Sequence, residues 1–138
     1  MIRHLPLWVA AAWVGSLTTL GFFVVPMLFA HLATPAMAGA MAAKLFSAQT
    51  WISVVCSMLL FMLFRSSRPL VPVDIAQAAT LFVAGGCLLA LLVEFAVAPH
   101  IVARDNLVLW HRVGSGMYFL QWVCALVVFG KLAKTRGA

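Results

Sequence analysis

The chain has 138 residues, of which 65% are hydrophobic and only 9% are charged, and its mean hydropathy is +1.11. This composition excludes an ordinary water-soluble domain and predicts an integral membrane protein with the lipid bilayer as its main partner. The net charge of +6 is typical of a protein that interacts with lipid headgroups, and we expect no nucleic-acid partner.

Four apolar runs follow one another along the chain, and each is long enough to cross a bilayer as a helix of about 20 residues. They cover approximately residues 5–31, 42–64, 75–99 and 107–130. The runs are continuous rather than alternating, which favours helices over barrel strands. We therefore predict one all-α domain over residues 1–138, a polytopic integral membrane four-helix bundle.

The basic residues predict how this bundle is oriented. With four spans, both termini and the middle connection lie on one side, which then carries six basic residues: Arg3, Arg65, Arg68, Lys131, Lys134 and Arg136. The other side carries three, Lys44, Arg104 and Arg112. Because cytoplasmic loops are enriched in Lys and Arg, we predict that both termini are cytoplasmic and that the protein lies in the bacterial inner membrane.

The first and third spans share the pattern Phe-x-Val-x-Pro, at residues 22–26 and 95–99. A proline inside a helix leaves the carbonyl four residues earlier without its usual donor, so we predict helix kinks at Pro26 and Pro99. The two spans run in the same direction, and the pattern is therefore compatible with a parallel repeat of two hairpins. The alternative is chance, because three matching residues can recur by coincidence in so apolar a sequence.

Glu94 is the principal candidate for a functional residue. It is one of three acidic residues, and it lies inside the third apolar run. A carboxylate in hydrocarbon costs roughly 2.5 kcal/mol or more, so it is expected to face protein or water and to have a partner.

The predicted partners of Glu94 lie at the outer ends of the spans. Arg112 is at a comparable depth, and an ion pair between the two would be a structural link between the third and fourth spans. The alternative is a proton, metal or cofactor site that Glu94 forms with His111 or His31, since histidine titrates near neutral pH and often binds metals. His100 lies at the mouth of the same hairpin and completes the candidate binding cluster.

A copper site is a second candidate. Met27, His31, His111 and Met117 lie toward the same side, and thioether and imidazole groups together suit Cu(I). Methionine is equally a common apolar filler in membrane helices. The chain has no phosphate-binding loop, no paired carboxylates and no nucleophile with a partner acid, so we do not predict an enzyme.

Small residues predict close helix approaches, either within the bundle or between two copies in a homodimer. They occur at Ala11 and Gly15, at Gly85 and Gly86, and at residues 114–116.

Short motifs spread over most of the chain resemble the bacterial membrane family called domain of unknown function 4149, which is related to transmembrane protein 205 of eukaryotes. The motifs are Trp13-Val14-Gly15-Ser16, the stretch Val-Val-Pro-Met-Leu-Phe-Ala-His at 24–31, Lys44-Leu45-Phe46, and Trp110-His111-Arg112. The resemblance implies a four-helix inner-membrane protein without an established activity. The association of the eukaryotic relatives with platinum-drug resistance suggests metal or drug handling.

A more distant resemblance is to the copper-resistance CopD-like group, which includes membrane protoporphyrinogen oxidases that bind haem b. His4, Trp13-Val14-Gly15 and the stretch from Pro26 to His31 follow a similar order. This resemblance implies haem ligation by His4 or His31. The chain departs from the pattern because the separation between Trp and Pro is longer and His31 follows Pro26 one residue early.

The sequence thus predicts that the protein binds or transports a cation, a metal or a small amphipathic molecule at its outer polar cluster. Two alternatives stand beside this prediction: a haem-binding redox protein, and a structural or assembly subunit of a membrane complex. Haem b and copper are the candidate cofactors, and the sequence favours neither.

Overall fold

A computed structural model describes residues 2–66 and 70–137, apart from the side chain of Arg136. These residues form four long helices and no strand: α1 (Ile2–His31), α2 (Pro35–Phe64), α3 (Val73–Val102) and α4 (Leu107–Gly137). Each helix is long and apolar enough to cross a membrane, which confirms the prediction of an all-α membrane protein. Arg68, one of the basic residues used to predict orientation, lies outside the described residues.

The connections at one end of the bundle are shorter than the sequence predicted. The α1–α2 connection was expected to reach about residue 41, but α2 already begins at Pro35. The hydroxyl of Thr34 accepts a hydrogen bond from the Met37 backbone N–H at 3.2 Å, and proline suits the first helical turn. In the α3–α4 turn, Arg104 and Asn106 have φ values of 57° and 40°, the left-handed conformation of a tight reversal.

The helices alternate in direction and pack as a ring. α1 contacts α2 and α4, and α3 contacts the same two helices, so α1 faces α3 across the bundle axis. We call the end with the α1–α2 and α3–α4 connections the hairpin end. The opposite end, with both chain termini and the α2–α3 connection, is the termini end.

Two π-helical segments interrupt the odd-numbered helices near the hairpin end. They are Thr19–Val24 in α1 and Val93–Val97 in α3, and each ends two residues before a proline, Pro26 or Pro99. The carbonyl that each proline leaves without a donor lies inside the π segment. The sequence predicted kinks here, and the structure has one wider helical turn at each place.

The two hairpins bury corresponding positions. We aligned α3 on α1 by matching Pro99 to Pro26, and α4 on α2 by matching Gln121 to Gln49. In this alignment, most positions that are buried in one hairpin are also buried in the other. The matched pairs are Ala10 with Val83, Trp13 with Gly86, Leu17 with Ala90, Gln49 with Gln121, Ser53 with Ala125, Cys56 with Val128, and Leu60 with Leu132. This agreement is compatible with a parallel repeat of two hairpins, which stays a prediction.

The tightly packed core lies in the half of the bundle nearer the termini end. Trp13 of α1 is fully buried and crosses the bundle axis to Gly86 of α3, where a Cβ atom would lie only 2.7 Å from the indole. In α4, the buried residues begin at Gln121, and none of residues 107–120 is buried. The hairpin-end half is therefore the less densely packed part of the bundle.

The predicted small-residue contacts divide into two groups. Gly86 meets Trp13, and Gly114 allows Val97 to approach, so these glycines serve packing within the chain. Gly15 and Gly116 have no described side chain within 4 Å of a Cβ position, and both are exposed. A homodimer through such exposed small residues stays a prediction.

Candidate functional site at the hairpin end

A cavity of about 470 Å³ lies between the four helices at the hairpin end. Its lining is mainly apolar, with five aromatic residues and few polar groups. The aromatic residues are Phe22, Phe29, Phe46, Tyr118 and Phe119, and Glu94, His111 and Ser115 add polar atoms. The volume is that of a typical small-molecule site.

Glu94 provides the only acidic group of the described lining, and the π segment of α3 places it there. Its carboxylate accepts a hydrogen bond from the Ser47 hydroxyl of α2, with oxygen–oxygen distances of 2.8 and 3.0 Å. A serine hydroxyl has a single proton, so the two carboxylate oxygens share one donor. Most of the accepting capacity of Glu94 therefore remains available to a molecule in the cavity.

The ion pair between Glu94 and Arg112 that the sequence suggested is not formed. Arg112 is exposed, and no basic side chain of the described residues lies within salt-bridge distance of Glu94. Similar depth in two neighbouring helices does not fix the direction of their side chains, and Arg112 lies on an exposed face of α4. The carboxylate thus has a hydrogen-bond partner but no neutralising charge in the described part of the chain.

The three histidines of the predicted cluster have different surroundings. His111 lines the cavity. His100 stacks on Trp110 with ring centroids 4.0 Å apart, and its Nδ1 lies 3.4 Å from Asp105, so it holds the α3–α4 turn. His31 bonds the Met27 carbonyl of its own helix at 3.0 Å. Of the five predicted cluster residues, Glu94 and His111 are the two brought to the cavity.

The structure does not bring the predicted copper ligands to one place in the cavity. Its described lining includes His111 but not Met27, His31 or Met117. Nor do three or more His, Cys, Asp or Glu side chains of the described residues form a group that could hold a metal ion.

The two histidines suggested for haem ligation lie at opposite ends of α1. His4 is at the termini end and His31 at the hairpin end. At 1.5 Å per helical residue they are about 40 Å apart, so they cannot bind the same haem iron.

Tyr118 of α4 packs against α1 at its π segment. Its hydroxyl donates a hydrogen bond to the Leu17 carbonyl at 2.7 Å, and its ring lies close to Gly21. In a regular α-helix the Leu17 carbonyl would accept from the Gly21 N–H, and an inserted side chain is a known cause of local helix distortion. Gly21 is required for this approach, since a Cβ there would lie 2.6 Å from the tyrosine ring.

The cavity is least enclosed between α1 and α4. From residue 25 onward, α1 packs on α2, while the hairpin end of α4 packs on α3. Phe22, Phe29 and Phe119 line the cavity from these two helices, and each is at least 50% exposed. An apolar molecule could therefore reach the cavity from the side that lipid would cover.

Sequence reasoning overlooked Ser47 and Tyr118. Ser47 begins a series of polar residues within an otherwise apolar span: Ser47, Gln49, Thr50, Ser53 and Ser57. Four of these are buried, Gln49, Thr50, Ser53 and Ser57, so the series faces the interior of the bundle. Polar residues inside a span were the available signal. Tyr118 is the single tyrosine of the chain, but nothing in its sequence neighbourhood indicates insertion into another helix.

Comparison with known proteins gives one match. The model of the family described as domain of unknown function (DUF4149) matches residues 8–107, which is more than half of the chain. No curated protein and no solved structure matches the chain. These comparisons give no support to the more distant resemblance to the copper-resistance group.

Proposed function

We propose that this chain, which belongs to the DUF4149 family, binds a small amphipathic molecule in the hairpin-end cavity. It would act as a binding or transport component of the membrane. The observation that carries this proposal is the position of Glu94, a carboxylate in an apolar cavity between four membrane helices. Ligand sites are commonly apolar pockets with a few placed polar groups, and ionisable residues within membrane spans commonly mark binding sites.

The gap between α1 and α4 supports entry of the ligand from the lipid. Amphipathic molecules concentrate in the membrane, and Phe22 and Phe119 would contact them at this gap. The remaining lining would cover the apolar part of the ligand, and Glu94 would orient its polar part.

Thermal stabilisation by ligands tests the cavity itself, because a ligand of the native state raises the unfolding temperature as its concentration rises. We expect small aromatic molecules of at least one charge class, cationic, neutral or anionic, to stabilise the purified protein in a saturable way. Ala98 lines the cavity, so Ala98→Phe should fill it and abolish the effect. Ala96 lies in the same helix but is exposed and outside the lining, so Ala96→Phe is the matched control. Equal stabilisation of both variants, or no saturable effect in the wild type, would contradict the proposal.

The proposal places both termini in the cytoplasm and the hairpin end on the outer side of the bacterial inner membrane. It rests on the six basic residues of one side and the three of the other. Reporters fused after Lys134 test the orientation. A cytoplasmic reporter should be active there, and activity of a periplasmic reporter at that position would reverse the assignment.

A further inference from the structure

We infer that the ligand of the hairpin-end cavity is an organic monocation, such as a hydrophobic amine or quaternary ammonium compound. This inference rests on the proposed function, because it names the chemical class of the molecule that the cavity binds.

The first argument is the missing positive charge beside Glu94. The described residues offer the carboxylate one hydroxyl proton, from Ser47, and no basic group within salt-bridge distance. A partly buried carboxylate without a counter-charge has a high free energy in apolar surroundings. A weakly hydrated cation beside it would remove much of that free-energy cost. The single carboxylate of the described lining matches one positive charge.

The second argument is the group of five aromatic side chains that line the same cavity. Phe46 and Tyr118 pack edge to face with centroids 5.2 Å apart, and Phe22, Phe29 and Phe119 complete the aromatic lining. Aromatic faces attract organic cations and are widely used to bind quaternary ammonium groups. They would also cover the hydrocarbon part of the ligand.

The third argument separates an organic cation from a metal ion. Calcium takes six to eight oxygen ligands, and zinc usually takes three or four protein ligands. The described lining offers one carboxylate, one imidazole and two hydroxyls, on Glu94, His111, Ser115 and Tyr118. An ammonium group needs no such coordination shell, and a cavity of about 470 Å³ is far larger than a bare ion requires.

The test uses two probes of nearly identical shape, benzyltrimethylammonium and neopentylbenzene, which differ in charge because nitrogen replaces carbon. Binding to the protein in lipid nanodiscs is measured by equilibrium dialysis, with empty nanodiscs as the correction for partitioning. We expect the wild type to bind the cation at least roughly tenfold more tightly than the neutral probe, a difference of about 1.4 kcal/mol.

Glu94→Gln keeps the size of the side chain and removes its charge. We expect this variant to lose the preference for the cation and to keep its affinity for neopentylbenzene. An unchanged affinity for neopentylbenzene would show that the cavity is intact in the variant. Asp105→Asn is the matched control, because Asp105 is an exposed carboxylate of the same end that pairs with His100. It should keep the wild-type preference.

The outcomes distinguish this inference from the proposed function. Equal binding of both probes, or a preference that survives in Glu94→Gln, would overturn the cation inference and leave the cavity as a ligand site. Absence of saturable binding of either probe would overturn the cation inference, and the proposed function falls with it if aromatic anions do not stabilise the protein either.

Discussion

The two halves of the bundle fill its central axis in different ways. Near the termini end, the indole of Trp13 crosses the axis and contacts Gly86 of the opposite helix. Near the hairpin end, Gly21 and Glu94 occupy corresponding positions of the two hairpins, and the space between the helices is a cavity. The same pair of hairpins therefore contains a filled core in one half and a candidate binding site in the other. The difference depends on these residues and on the separation of α1 from α4 near the hairpin end.

Gly86→Ala should have the largest effect on stability, because it tests the filled half. The added methyl group would lie 2.7 Å from the indole of Trp13, a large side chain that is fully buried. We expect a loss of about 1–3 kcal/mol, measured as a lower unfolding temperature in detergent. Gly85→Ala is the control, since its nearest described neighbour, the Cys124 sulfur, would be 3.9 Å away. A similar loss in both variants would contradict this account of the core.

Gly21→Ala applies the same change to the hairpin-end half and should cost less, about 1 kcal/mol. Its methyl group would displace the Tyr118 ring, which lines the cavity and so has space to move. The cost then comes mainly from the lost hydrogen bond to the Leu17 carbonyl. Ligand affinity should fall as the ring enters the cavity.

Gly15→Ala, with no described side chain within 4 Å of its Cβ position, is the control for Gly21→Ala. It should not lower the stability of the monomer, since alanine is the better helix former, and it should leave ligand binding unchanged. A loss for Gly21→Ala as large as that for Gly86→Ala would show that the two halves are equally tightly packed.

The smallest expected effect concerns the hydrogen bond between α2 and α4. The Gln121 amide donates to the Ser53 hydroxyl at 2.7 Å, and both residues are buried. Hydrogen bonds between membrane helices contribute about 0.6 kcal/mol on average. A double-mutant cycle with Ser53→Ala and Gln121→Leu should give a coupling of this size. A coupling several times larger would make this pair, rather than the contact of Trp13 with Gly86, the main determinant of the filled half.

The architecture could be predicted because four continuous apolar runs permit little else in a membrane. The start of α2 was misplaced by several residues because the Ala-rich stretch after Pro35 has no distinct boundary, and the cap at Thr34 defines it instead. The repeated Phe-x-Val-x-Pro pattern marked the places of both π segments, since proline acts on its own helix.

The candidate site was predicted less completely. Glu94 stood out because a charge in an apolar run is visible without knowledge of the fold. Of the partners considered for it, Arg112 forms no ion pair with it, whereas its contact with Ser47 depends on how α2 packs against α3. The contact of Tyr118 with α1 likewise depends on packing between two helices distant in sequence.

The most direct test of the central claim is to locate a bound cation in the cavity. A crystal structure with 4-bromobenzyltrimethylammonium, recorded at the bromine absorption edge, would mark the ring end of the ligand by its anomalous signal. The account predicts one bromine peak among Phe46, Tyr118 and Phe119, with the ammonium group against the Glu94 carboxylate. Bromine peaks confined to the lipid-facing surface, with the cavity unoccupied by the ligand, would contradict it.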